Sequence, residues 1–246
     1  MGKCIIYPIP VYSVLMDKAA HTYRFNYGQQ IELANYVWYI DGASQRILVD
    51  AGGNSEFSRK LGYPVRDIQT LEKGLGKVGI TFKDIDLVIL THLHYDHVAQ
   101  ASRFPKTRFL IQAEELSFAQ RPHPIFTGGY VHEFFKDLDF EVITGDAKIV
   151  DGVSVIKTTG HTAGGQSVVV DTDQGKTVIA GLCTLRENFE PPLLIRETLP
   201  VIVPTLHTNV FEAFESLKRI KDVADIVLPL HDIEFLESSN LKQRGR

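Results

Sequence analysis

Four side chains that can bind a metal ion lie within six residues of one another: His92, His94, Asp96 and His97. Neutral imidazole nitrogens and carboxylate oxygens are ligands that Zn²⁺ and Fe²⁺ prefer. Because side chains alternate along a strand, His92 and His94 at a strand end are expected to share one ion. Asp96 and His97, in the turn that follows, then face a second position. The spacing predicts two metal positions. This interpretation is favoured over the alternative, a polar loop that holds histidines by chance.

The element that must hold this run is a short buried strand, predicted at Asp86–Thr91 from its continuous apolar residues. Clusters of β-branched and aromatic residues between turn residues predict further strands at Cys4–Tyr7, Pro10–Leu15, Asn35–Ile40, Arg46–Val49, Arg108–Ile111, Val153–Lys157, Ser167–Asp171, Thr177–Ala180 and Asp225–Pro229. Helices are predicted at Asp67–Leu75, Glu114–Gln120 and Phe211–Ile220. Since no linker or repeat interrupts this order, we expect one domain over residues 1–246, with helices packed outside two sheets.

Composition narrows the class of protein. The 246 residues carry a net charge of −4, whereas nucleic-acid binding proteins usually have a basic excess, so no nucleic-acid partner is expected. Two cysteines, Cys4 and Cys183, are too few for a disulfide framework. The first residues do not resemble a signal peptide, and no apolar run reaches the roughly 18 residues that cross a bilayer. We therefore expect a soluble cytoplasmic protein that binds a small molecule and not a membrane, with a homodimer as one option for its assembly.

The run Thr91–His97 resembles the signature motif of the metallo-β-lactamase superfamily, and further matches follow the order of that family. Leu48–Gly53 resembles its strand-to-turn element, in which an aspartate, here Asp50, supports the metal ligands. Gly160–Thr162 and Pro229–Asp232 resemble the segments that carry its later metal histidines. The resemblance spans about Leu48 to Asp232 and implies an α/β fold, the four-layer αβ/βα sandwich.

The resemblance also implies roles for individual residues. The first metal position would be bound by His92, His94 and His161, and the second by Asp96, His97 and His231. Asp96 would in addition carry a proton to the leaving group and so be a catalytic residue. The implied cofactor is Zn²⁺, as one or two ions, with Fe²⁺ and Mn²⁺ as alternatives.

Within the superfamily the chain is most similar to the N-acyl homoserine lactonase group. The similarity rests on its length, on a proline-containing insertion around residues 115–138 that would cap the pocket, and on the segment from His231 to Phe235. An early loop, Lys18–Gln30, would line the same pocket. Candidates for its apolar wall are Tyr23, Phe25, Tyr27, Phe126 and Tyr130, for which ordinary packing is an equal alternative.

One position departs from the family pattern. Leu182 stands where the family has a metal-bridging aspartate, and leucine cannot bind a metal. Either the second metal position is weak, or Cys183 supplies a thiolate after a shift of one residue, with Glu187 as a more distant substitute. The lactonases also have a tyrosine shortly afterwards, where this chain has Thr184 and Leu185, so the resemblance implies no particular lactone.

The predicted function is that of a metal-dependent hydrolase, which opens a lactone, an ester or a related cyclic carbonyl compound by metal-activated hydroxide. Two alternatives use the same fold: a thioester hydrolase, and a mononuclear-iron oxidoreductase similar to sulfur dioxygenases, whose one-iron site would not need the missing aspartate. A binding protein without catalytic activity is disfavoured, because all six implied ligands are retained. A nuclease is disfavoured by the acidic charge balance.

Overall fold

The structure, a computed structural model, describes residues 3–236. Its strands are β1 (Ile5–Asp17), β2 (Gln30–Asp41), β3 (Ile47–Val49), β4 (Val65–Asp67), β5 (Leu87–Ile89), β6 (Arg108–Gln112), β7 (Phe140–Ile143), β8 (Ala147–Val150), β9 (Val153–Lys157), β10 (Gln166–Thr172), β11 (Gly175–Ile179) and β12 (Ile226–Leu228). Its α-helices are α1 (Ser55–Lys60), α2 (Leu71–Lys77), α3 (Tyr95–Val98), α4 (Ala113–Gln120), α5 (Arg186–Phe189), α6 (Leu193–Arg196) and α7 (Val210–Val223). Short 3₁₀ turns complete several of the connections.

The strands form two mixed sheets that face each other. The first sheet has the order β4-β1-β2-β3-β5-β6-β7, and the second has the order β12-β11-β10-β9-β8. Their facing sides bury one hydrophobic cluster that includes Trp38, Ile89, Val168 and Leu228. Because side chains alternate along each strand, the opposite sides are apolar as well and must be covered by helices.

Helices cover the outer side of each sheet. Leu71 and Leu75 of α2 join a cluster on the outer side of the first sheet, together with residues of α3 and α4. Leu217 and Ile220 of α7 pack on the outer side of the second sheet. The layers are therefore helix, sheet, sheet and helix, which confirms the predicted α/β sandwich.

The structure corrects several predicted elements. The two strands expected at Cys4–Tyr7 and Pro10–Leu15 are one continuous strand, β1, with a shift of register near Pro10. The helix expected from Asp67 begins only at Leu71, because Asp67 pairs with β1 and the side chain of Thr70 caps the helix. The strands β7 and β8 were not predicted, since they are only partly buried and lack a continuous apolar run.

Within residues 3–236, none of the helices has the length and apolar character that crossing a membrane requires. Cys4 and Cys183 are both buried, and neither forms a disulfide.

Candidate metal centre

All of the predicted metal ligands lie in segments that directly follow the C-terminal ends of strands. His92 and His94 lie in the loop after β5, and Asp96 and His97 lie in the short helix α3 that this loop leads into. His161 follows β9, and His231 follows β12. Asp50 directly follows β3, which runs parallel to β5. These strand ends meet at one edge of the sandwich, so residues that are far apart in sequence converge there.

The first ligand group consists of His92, His94 and His161. Their ligand atoms all lie within 4.8 Å of one another, and Nε2 of His92 is 3.3 Å from Nε2 of His161. Two ligands of a tetrahedral zinc ion with bonds of about 2.0–2.1 Å are separated by about 3.4 Å. The spacing of these nitrogens therefore fits one shared ion.

The second ligand group consists of Asp96, His97 and His231, and its ligand atoms also lie within 4.8 Å of one another. Oδ2 of Asp96 is 3.3 Å from Nε2 of His97 and 3.8 Å from Nε2 of His231. The rings of His92 and His97 are in contact, with centroids 4.2 Å apart, so the two groups are adjacent. The donors of the first group, three imidazole nitrogens, and those of the second group, two imidazole nitrogens and a carboxylate oxygen, both fit a divalent transition metal.

Backbone carbonyls fix the rings of two of these histidines. Nδ1 of His161 lies 2.6 Å from the carbonyl oxygen of Leu206, and Nδ1 of His231 lies 3.1 Å from that of Ala34. A carbonyl oxygen only accepts, so each Nδ1 must carry the proton and donate it. Each Nε2 is then left with the free lone pair that a metal requires.

Asp50 fixes the ring of His97 directly and that of His92 through Thr91. Its Oδ2 accepts from Nδ1 of His97 at 2.8 Å, and its Oδ1 accepts from the backbone N–H of Thr91 at 2.7 Å. The hydroxyl of Thr91 donates to the same carboxylate and lies 3.0 Å from Nδ1 of His92. Asp50 is fully buried and has a positive φ of 61°, a backbone conformation that aspartate tolerates better than most residues. It therefore supports one histidine of each ligand group, the role that its motif predicted.

The electrostatic field of the site favours a cation. Burial raises the pKa of Asp96, but the charge of His97 and its hydrogen bond outweigh burial and hold that pKa far below its usual range. Burial lowers the pKa of His97, yet the charges of Asp96 and Asp50 raise it to about 10. By contrast, burial lowers the pKa of His94 to about 4 and that of His92 well below its usual range. The carboxylates of Asp96 and Asp50 therefore favour a protonated, positively charged His97. A divalent cation bound at this position would take the place of the extra proton.

The two substitutes considered for the missing aspartate differ in position. Leu182 is completely buried, in the cluster between the second sheet and α7, whereas Cys183 lines the same cavity as both ligand groups. Glu187 does not line that cavity, because Lys18 and Asn26 bind its carboxylate elsewhere. The expectation that Glu187 could replace the aspartate is therefore wrong.

The ligand groups lie at the floor of a cavity of about 360 Å³. Much of its wall is apolar, from Val14, Met16, Leu33, Leu61, Ile125, Phe126 and Leu206. Of the five aromatic residues predicted for this wall, Phe126 lines the cavity and Tyr130 packs against His94, with ring centroids 4.7 Å apart. Tyr23 contacts the lining residue His207, and neither Phe25 nor Tyr27 lines the cavity. The apolar wall comes mostly from β1, β2 and the loops after α1 and α4.

Glu115 connects the loops that carry the first ligand group. Its side chain is completely buried, and its Oε1 accepts from the N–H of Leu93, between His92 and His94, at 3.0 Å. Its Oε2 accepts from the N–H of Gly164 at 3.0 Å, in the loop of His161. The backbone around Glu115 approaches so closely that a Cβ on Gly164 would lie 2.1 Å from the nitrogen of Glu115.

We expect Glu115→Gln to weaken metal binding by about 10- to 100-fold, because the amide nitrogen of glutamine cannot accept one of these backbone hydrogen bonds. Zinc affinity, measured by competition with a chromophoric chelator, tests this. Glu114→Gln is the matched control, since Glu114 is exposed and pairs with Lys157. Equal zinc affinity in Glu115→Gln and the wild type would show that Glu115 does not position the ligands.

Sequence reasoning missed three further residues of the site. Asn35 accepts from the N–H of Gly53 at 2.9 Å and donates to the carbonyl oxygen of Asp96 at 2.6 Å. Gly129 touches His94, where a Cβ would lie 2.7 Å from the ring. His21 lines the cavity from the early loop, and its residue type alone could have drawn attention to it. Nothing in the local pattern distinguishes Asn35 or Gly129.

Comparison with known proteins agrees with this geometry. A family profile described as the metallo-beta-lactamase superfamily matches residues 31–228. An N-acyl homoserine lactonase of a Bacillus species is 26% identical over 248 residues, which cover 93% of each chain. A solved N-acyl homoserine lactone hydrolase, with the product N-hexanoyl-L-homoserine bound at its catalytic metal centre, is 25% identical and covers 95% of each chain with a TM-score of 0.76. A probable metal-dependent hydrolase from Staphylococcus aureus shares the fold, with a TM-score of 0.78 at 21% identity over 94% of this chain and 90% of its own.

Proposed function

The chain belongs to the metallo-beta-lactamase superfamily and is a metal-dependent hydrolase, and we propose that its reaction is the opening of a lactone ring at the cavity described above. The single observation that carries the proposal is the pair of ligand groups, each with all ligand atoms within 4.8 Å, at the floor of one largely apolar cavity.

We propose that the cofactor is zinc, as two ions. His92, His94 and His161 would hold one ion, and Asp96, His97 and His231 would hold the other. When bound, the ions supply hydroxide at neutral pH, by lowering the pKa of water from roughly 15.7 to about 7, and polarise the carbonyl group. The hydrogen bonds that fix the Nδ1 atoms support this assignment, since they turn Nε2 lone pairs toward common points.

Asp96 is the proposed proton carrier. Opening a lactone forms a bond between the oxygen of water and the acyl carbon and breaks the bond from that carbon to the ring oxygen. One proton must then move from the attacking water to the ring oxygen, which leaves as a hydroxyl group. The side chain of Asp96 is 25% exposed, whereas that of His97 is 2% exposed, so Asp96 is the more accessible of the two to the reacting atoms.

The substrate class follows from the cavity wall and from the relatives. The apolar side chains of Leu61, Ile125 and Leu206 line the cavity and remain partly exposed, so they can bind an apolar substituent on the ring. Relatives that align over nearly the whole chain are named for N-acyl homoserine lactones. We therefore propose N-acyl homoserine lactones as the first substrates to test. The comparisons lend no support to the oxidoreductase alternative.

Two further proposals concern the domain organisation of the chain and its location in the cell. Ile125 and Phe126 lie over the cavity within the segment 115–138, which supports its role as a cap on a single domain of residues 1–246. The two unpaired cysteines support a cytoplasmic location, because disulfides are rare there.

Chelation and reloading test the proposed reaction. We expect the zinc-loaded protein to open N-acyl homoserine lactones, followed as acid release at constant pH. Removal of the metal should lower the rate by about 10³-fold or more, and added Zn²⁺ should restore it. Linear esters and thioesters of the same acyl chain are the comparison substrates. Ring opening that survives complete chelation, or a faster reaction with the thioester or linear ester, would contradict the proposal.

A further inference from the structure

Cys183 and His21 form a buried pair at the wall of the cavity. Sγ of Cys183 lies 2.9 Å from Nε2 of His21, although 161 residues separate them in the sequence. The two side chains are 7% and 2% exposed, and both line the cavity that holds the two ligand groups. Neither residue has a role in the reaction described above.

The backbone after β11 turns Cys183, and not Leu182, toward the site. Val178, Ala180 and Leu182 are completely buried in the cluster beneath α7, so alternate residues of this segment face the helix. Cys183 has the opposite direction and reaches the cavity. Cys183, one position later than the family's aspartate, thus lines the cavity that holds both ligand groups, although its sulfur is not among the atoms that lie within 4.8 Å of one another in the second group.

His21 has a nitrogen with no partner. Among residues 3–236, Nδ1 of His21 is buried without a hydrogen bond. A buried N–H without an acceptor is costly, so the neutral ring is best protonated on Nε2, where the proton points at the sulfur of Cys183. The ring of His21 also lies edge-on to the ring of His231, with centroids 5.8 Å apart. The pair is therefore adjacent to the second ligand group.

We propose that Cys183 is a ligand of the second metal position, in place of the missing aspartate, and that His21 holds its sulfur by an N–H···S hydrogen bond. This inference rests on the proposed metal-dependent function. A thiolate is a soft ligand, so the position should favour Zn²⁺ over Mn²⁺ more strongly than a site of nitrogen and oxygen alone. Binding converts the thiol to a thiolate, and its proton leaves to solvent.

Cobalt substitution gives a readout that does not depend on activity. A Co²⁺–thiolate bond has an intense ultraviolet charge-transfer band, which a site of nitrogen and oxygen ligands lacks. We expect this band in the Co²⁺-loaded wild type and in Cys4→Ser, the matched control, because Cys4 is buried outside the cavity. Cys183→Ser should lose the band and bind its second Co²⁺ about 10- to 100-fold more weakly.

His21→Gln tests the hydrogen bond. This variant should keep the band but shift its energy, because the N–H···S bond that stabilises the thiolate is gone. Absence of the band in the wild type, or its persistence in Cys183→Ser, would overturn the inference. A wild type that binds two Co²⁺ ions and opens lactones but lacks the band would refute the thiolate ligand alone. A wild type that binds no Co²⁺ would refute the proposed function as well.

Discussion

His92→Ala and His94→Ala are each expected to lose the zinc ion of the first position and lactone hydrolysis together. Both side chains belong to the first ligand group, and two histidines are too few to hold the ion firmly. Without the ion, water keeps a pKa near 15.7 instead of about 7, so we expect kcat/KM to fall by about 10³-fold or more. Zinc content per chain and the rate of acid release, measured on the same preparations, test the prediction.

His132→Ala is the control for these variants. His132 is exposed and belongs to neither ligand group, so its replacement should leave zinc content and rate unchanged. Circular dichroism of all variants shows whether the fold is retained. Full hydrolysis by a folded His92→Ala protein that lacks the ion of the first position would reject the mechanism.

Asp96→Asn should have the second large effect, with kcat reduced by about 10²- to 10⁴-fold. The amide keeps the size of the side chain but cannot carry the proton to the ring oxygen. The substitution also removes the negative charge of Asp96, which together with that of Asp50 raises the pKa of His97 to about 10. We therefore expect weaker zinc binding at the second position, while the first position retains its ion. Steady-state kinetics at saturating zinc separates these two effects.

A lactone with a good leaving oxygen shows whether Asp96→Asn loses activity through impaired proton transfer or through loss of the metal ion. A ring whose leaving oxygen needs no proton, such as an aryl lactone, should be opened by Asp96→Asn with a smaller loss than an alkyl lactone. Asp137→Asn, at an exposed carboxylate outside both ligand groups, is the matched control. An equal loss for both lactones would leave Asp96 as a metal ligand only.

The sequence could predict those residues of the site that directly follow a strand. His92, His161 and His231 lie in short loops after buried strands, and the strand ends fix where such loops meet. Asp50 was predicted from its motif, and its hydrogen bonds to Thr91 and His97 agree with the supporting role. Two sheets covered by helices were predicted from the order of the strand and helix patterns, and the four-layer sandwich was implied by the resemblance to the metallo-β-lactamase superfamily.

Other features have no local signal. Glu115 is one of two adjacent glutamates at the start of a helix, and only its burial distinguishes it from Glu114. The cavity wall depends on which residues of the long strands β1 and β2 face the site, so aromatic content alone misplaced Phe25 and Tyr27. Which of Leu182 and Cys183 faces the cavity depends on the backbone conformation of the segment after β11. The sequence alone does not show that Leu182 packs under α7 and Cys183 lines the cavity.

The central claim is that six residues from three separate segments of the chain bind two metal ions, and elemental analysis of zinc per chain tests it most directly. The wild-type protein, stripped with a chelator, reloaded with Zn²⁺ and freed of excess by gel filtration, should contain two zinc ions per chain. His161→Ala and His231→Ala, which remove the most distant member of each ligand group, should each contain less. A wild-type chain that retains no zinc under any loading condition, or variants that retain as much as the wild type, would contradict the account.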